Sequence, residues 1–141
     1  MEFIKAFHNV LVKQKRKSGT RAYYSGGEVY FSRLFGYRLV GDRYEPDPRY
    51  APAIRMIFEM LAEQKTLIEI KKTLDEVKVR DSSNNRYSLS RISAIASRPV
   101  YSGYINQHGR LAKINNLIPL VSLETWKQAQ KTLQVEKKKM I

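Results

Sequence analysis

The chain has 141 residues, enough for one domain with a projecting arm, and a hydrophobic content of 43% that can form a real core. No apolar run is long enough to span a bilayer, and no signal-peptide pattern opens the chain; the absence of cysteine rules out a disulfide framework or thiolate zinc site and fits a cytosolic protein. Lys and Arg total 26 against 13 acidic residues, a formal charge of +13, which points to a polyanionic partner. Nucleic acid is favoured over an anionic membrane surface, because no long amphipathic helix carries a bulky apolar face.

Residues 1 to 17 read as a helix with Phe3, Phe7, Val10 and Leu11 on one side, resembling the end of a longer helix. It runs into Lys13, Lys15, Arg16, Lys17 and Arg21, separated by Ser18, Gly19 and Thr20. Such a stretch is either a solvated linker or an arm that follows a nucleic-acid backbone or enters a minor groove. From Tyr23 to Asp42 aromatics and glycines alternate, predicting turns and short strands with Phe35-Gly36-Tyr37 as a packed corner. Core packing is the favoured role of these aromatics; stacking on unpaired bases is the alternative.

Asp47-Pro48 or Ala51-Pro52 opens the next helix, in which Ile54, Ile57, Phe58 and Leu61 follow helical spacing. Thr66 and Glu69 form a capping box for a helix expected to bury Leu67, Ile70, Leu74 and Val77. A polar loop, Asp81 to Arg86, leads to Ser88, an N-cap for a helix with Leu89, Ile92, Ile95 and Ala96 on its apolar side. Its other face carries Ser90, Arg91, Ala94, Ser97 and Arg98, and Pro99 ends it. That face is either ordinary solvated surface or a slim basic surface for a DNA groove, where arginine can bond phosphates or guanine edges. Val100 to Gln107 and Leu111 to Asn115 predict a hairpin around His108-Gly109. A last helix from Leu123 turns Trp126, Ala129, Gln130 and Leu133 inward, and Lys137 to Lys139 read as a frayed end.

The fold class expected is therefore mainly α with a small β-hairpin and short strands: a helix-turn-helix-like core, winged or elaborated, plus an N-terminal helical arm. No catalytic arrangement emerges. His8 and His108 lack metal-ligand partners, Ser25-Gly26-Gly27 lacks the lysine of a phosphate loop, and no serine stands beside a base in a known motif. No cofactor is expected, and the chain alone reads as non-catalytic.

From Phe35 to Leu133 the chain resembles the recombinase domain of large serine recombinases, the DNA-binding module that follows the catalytic domain of phage integrases and transposon resolvases. The resemblance rests on Phe35-Gly36-Tyr37, on Pro46-Asp47-Pro48 leading to Ile54-Arg55 and Ile57-Phe58, and on Ile70, Leu74 and Val79. It continues through Tyr87-Ser88, Ile92, Ile95, Pro99, Tyr101 and Gly103, then Pro119, Val121-Ser122, Glu124, Trp126 and Gln130. The family usually carries Trp at the position of Tyr87 and Gly at that of Lys78. The resemblance implies residues 1–22 as the end of a linker helix and a basic arm, 23–136 as the DNA-binding domain, and 137–141 as a charged tail. It implies duplex DNA, an attachment or resolution site, as partner, and a nucleoid-associated, cytoplasmic protein. Strand cleavage and self-association would belong to a catalytic domain absent from this chain.

The residues expected at DNA are Ser90, Arg91, Ala94, Ser97 and Arg98 at the major groove, and Asn84, Asn85 and Arg86 from the loop. Lys13, Lys15, Arg16, Lys17 and Arg21 are expected on phosphates. The rival readings are a free-standing helix-turn-helix transcription regulator, an RNA-binding module, and a scaffold with an acidic protein partner.

Overall fold

The structure, a computed structural model, describes residues 22–139. Three antiparallel hairpins are built from β1 (Ala22–Ser25) with β2 (Glu28–Phe31), β3 (Tyr37–Val40) with β4 (Arg43–Pro46), and β5 (Tyr104–Gln107) with β6 (Arg110–Lys113). Each turns over two residues. His108 and Gly109 have φ of 54° and 84°, the positive values at both central positions that match the natural twist of paired strands. The predicted hairpin is thus present but shorter: Pro99–Ser102 forms a 3₁₀ turn, and Ile114 and Asn115 lie outside the strands. Strand β4 had no counterpart in the sequence reading.

Four α-helices lie among the described residues: α1 (Ala51–Ala62), α2 (Leu67–Glu76), α3 (Leu89–Ser97) and α4 (Leu123–Lys139). Ala51-Pro52, not Asp47-Pro48, opens α1. Asp47 instead makes the preceding turn, its carbonyl accepting from the Tyr50 and Ala51 amides at 3.0 and 2.8 Å. The capping box of α2 is formed, with Thr66 Oγ1 accepting from Glu69 N and Glu69 Oε1 from Thr66 N. Helix α4 runs through Lys139, so Lys137 to Lys139 are helical where fraying was expected.

Val77, expected inside, is 51% exposed. The cause is Lys78, whose φ of 60° reverses the chain after α2. The Lys78 amide donates to Asp75 O and the Val79 amide to Leu74 O, closing the helix with paired 5→2 and 6→1 bonds, and Val79 then packs on the core instead. A left-handed residue suits glycine, which is why the family's usual Gly at this position makes physical sense.

Helix α1 packs along α4, and α2 and α3 close the same core. Ile54, Ile57, Phe58, Leu61, Ile70, Leu74, Ile92 and Ala129 are fully enclosed. The hairpins are tied on by the segment after β6. The Asn116 side chain accepts from Val29 N and donates to Val29 O and Asp42 O, while Tyr44 N donates to Asn116 O at 2.8 Å. The Phe35-Gly36-Tyr37 corner packs as expected. Gly36 has φ of 91° and any Cβ there would collide with Ile54; Tyr101 donates to Phe35 O at 2.8 Å and Tyr37 to Ile118 O at 2.6 Å.

Candidate nucleic-acid interface

Helix α3 is held at both ends and along one side. At its start Ser88 Oγ accepts from Arg91 N at 3.1 Å, and Lys71 reaches across from α2 to the Tyr87 carbonyl at 2.9 Å. At its end α4 supplies two donors to carbonyls that a helix leaves unpaired: Gln130 Nε2 to Ala96 O at 2.7 Å and Trp126 Nε1 to Arg98 O at 3.1 Å. Trp126 and Gln130 thus face inward as expected, with work to do there. Ile92, Ile95 and Ala96 are buried and Leu89 is half-buried. On the other side Ser90 and Ala94 are exposed, and Ser97 turns its hydroxyl onto Ala94 O at 2.9 Å. The outward surface is slim and free of acidic residues.

Arg91 of α3 and Arg98, its C-cap, do not project freely from that surface. The Arg91 guanidinium lies 4.7 Å from the centre of the Phe35 ring, and that of Arg98 lies 6.0 Å from Phe31. Both line a cleft of about 690 Å³ between α3, the turn after β2 and the loop before α3. Arg33, Arg49, Ser82 and Ser83 also line it, and the sequence reading named none of them for DNA. Asp47 is there too, but its carboxylate is taken up by Arg49 at 3.1 and 2.9 Å, which holds it below the usual carboxylate range. No ion pair among the described residues includes Arg33, Arg91 or Arg98.

The wall behind the cleft is aromatic and sealed. Tyr87 is buried beside Phe35 and Asp81; loss of solvent, then the Asp81 charge, pushes its phenol up to about 12. Burial raises the Tyr101 phenol as well. Tyr30, Phe31 and Tyr37 are buried and Phe35 is overlaid by Arg91, so core packing is the role these aromatics take.

The loop before α3 is a formed turn. Asp81 Oδ1 accepts from Ser83 N and Asn85 N, each at 2.9 Å, Asp81 O accepts from Asn84 N, and Asn84 has φ of 61°. This presents Asn84, Asn85 and Arg86 to solvent beside the start of α3. Two groups of expected contacts are therefore adjacent. The third, Lys13, Lys15, Arg16, Lys17 and Arg21, lies outside the described residues, as does the helix expected over residues 1 to 17. Among the described residues no cluster of His, Asp and Glu could hold a metal ion, and no helix is long and apolar enough to cross a membrane.

Comparison with known proteins fixes the family. The Recombinase family model matches residues 48–136, from the turn before α1 to the buried end of α4. The chain belongs to the Recombinase family. The likeness read from Phe35 to Leu133 to the recombinase domain of large serine recombinases is borne out. A crystal structure of a large serine recombinase–DNA complex superposes with a TM-score of 0.59 at 18% identity, covering 82% of this chain and 34% of that one. A structure concerned with the sequence requirements of the Listeria innocua prophage attP site gives 0.58 at 19% identity, covering 89% and 50%. This chain thus spans a third to a half of the length of those proteins, and at such identity they share its fold. No curated protein matches.

Proposed function

We propose that this recombinase domain binds duplex DNA sequence-specifically, at an attachment or resolution site, and positions a catalytic domain carried by a longer parent protein. The observation that supports this most directly is the acid-free outer surface of α3, fixed at both ends and flanked by the exposed loop, within a fold of the Recombinase family. Read as a winged or elaborated helix-turn-helix, α2 braces α3, and α3 approaches the major groove with Ser90, Ala94 and Ser97 outermost and Arg91 and Arg98 at its flank. Small side chains suit close approach, and Asn84, Asn85 and Arg86 can reach backbone or base edges from the loop.

On this reading residues 23–136 are the DNA-binding unit, residues 1–22 supply a linker helix and a basic arm along phosphates, and residues 137–141 form a charged tail whose first three residues continue α4. Serine attack on the phosphodiester, and the self-association that recombination needs, belong to the parent's catalytic domain. The whole protein would work on chromosomal DNA in the cytoplasm.

The test is selection from a randomised duplex pool at two salt concentrations. One enriched sequence that survives the higher salt supports site reading; uniform binding erased by salt would reduce the role to charge alone.

A further inference from the structure

We infer that the cleft beside α3 is a seat for one stretch of DNA sugar–phosphate backbone, and that Arg33, Arg91 and Arg98 clamp a phosphodiester there instead of reading base edges. This rests on the duplex-DNA reading above and adds a contact that reading does not contain.

Three observations support it. The cleft gathers three cations from two separate segments: Arg33 from the turn after β2, and Arg91 and Arg98 from the first turn and the C-cap of α3. Its one carboxylate, Asp47, is already matched by Arg49, and the nearby Asp81 carboxylate is bonded to the amides of its own loop. The site therefore carries an uncompensated positive charge that a phosphate would neutralise with charge-assisted hydrogen bonds.

The aromatic floor decides between a phosphate and an unstacked base. A base needs an open ring face to stack on. Phe35 has Arg91 over it at 4.7 Å and Tyr50 and Tyr87 against it at 5.2 and 6.3 Å, so its surface is occupied. A guanidinium resting on a ring keeps its edge N–H groups available while losing rotamer freedom, which prepares it for a phosphate at a fixed place. At about 690 Å³ the cleft is on the scale of a ligand pocket, room for a run of backbone and not merely one small ion. Arg91 and Arg98 then set the register of α3 on the duplex, and base discrimination falls to the outer face and the loop.

The experiment uses the full chain and the best duplex from selection, scanned with single uncharged methylphosphonate linkages. At one linkage, neutralisation should weaken the wild type about tenfold, the scale of one charge-assisted contact. In Arg33→Ala, an exposed substitution that leaves the core untouched, neutralising that same linkage should cost clearly less than in the wild type, because only Arg91 and Arg98 remain on it, with sequence preference unchanged and the salt slope lowered by about 1. If every linkage matters equally in both proteins, or Arg33→Ala changes base preference, the clamp is wrong while duplex binding stands. Titration with inorganic pyrophosphate, followed through arginine Nε signals, separates the two ideas. Saturable shifts at Arg33, Arg91 and Arg98 without any duplex binding would keep the phosphate seat and overturn the DNA reading. Absence of both would overturn both.

Discussion

Helices α2 and α3 are close in length, start with a hydroxyl that accepts from the third amide, and bury isoleucines in one core. They differ in what surrounds their N-termini. Helix α2 is closed by carboxylates: Glu69 completes its capping box, and the buried Glu136 of α4 accepts from Leu67 N at 2.9 Å. Backbone hydrogen bonds hold both acids below the usual carboxylate range. The first turn of α3 has no acid, only Ser88, Ser90 and Arg91. A helix N-terminus attracts negative charge. One helix therefore has its electrostatic demand met inside the protein, and its neighbour is left facing outward in cationic surroundings. The difference fits the proposed division, with α2 as support and α3 as the DNA-facing surface, although their propensities and core faces are alike.

The widest effect should be the one the helices share. Ile70→Ala and Ile92→Ala each remove a fully buried side chain and should cost about 2–5 kcal/mol in denaturant unfolding, with similar values for the two. A much smaller loss at Ile92 would mean that α3 is loosely held. Next, high pH should destabilise the fold through its buried phenols, since burial raises Tyr37, Tyr44 and Tyr101 as well as Tyr87, the one that directly precedes the α3 cap. Tyr87 holds its proton in the fold to about 12, whereas the unfolded chain releases it near the ordinary tyrosine value of about 10. Its contribution is complete below pH ~10 and is lost as pH rises towards ~12, costing about 1–2 kcal/mol, a loss that Tyr87→Phe should reduce in pH-dependent melting.

Glu136→Gln should cost about 1 kcal/mol by weakening the charge at the α2 terminus, and duplex affinity should stay the same, since α3 is untouched. A loss of DNA binding in that variant would break the division between support and working surface. Last, Lys78→Gly should raise stability by about 0.5–1 kcal/mol, because relief of left-handed strain outweighs the flexibility gained by the unfolded chain. Thermal melting reads it directly.

What the sequence disclosed was local. The capping box, the Ser88 cap, the stop at Pro99 and the apolar spacing of α1, α3 and α4 depend on residues within a turn or two of each other, and the structure repeats them. Val77 was misplaced because helical spacing was carried one residue past the end of α2 at Glu76, onto the cap that a left-handed Lys78 follows, and nothing in a lysine announces that conformation. The cleft was hidden for a different reason. Arg33, Asp47, Ser82 and Arg98 come from separate segments, and only the folded corner at Gly36 brings them together. Arg91 and Arg98 were found as members of a helix face, yet their partners Phe35 and Phe31 lie too far back in the chain for periodicity to reveal. The Asp47–Arg49 pair has a local spacing of two residues, but its importance lies in what it removes from the cleft.

Asn116 has a consequence for how the chain acquires this shape. Its side chain bridges β2 and the β3–β4 turn, across sequence separations of 87 and 74 residues. During synthesis the first two hairpins therefore emerge long before the residue that fastens them. Isolated two-stranded hairpins are marginal in water, so β1 to β4 should remain in exchange until the segment around Asn116 has left the ribosome. Closing so long a loop is slow compared with forming a helix. The arginine cleft, with Arg33 in the segment between those early hairpins, would be among the last features to form.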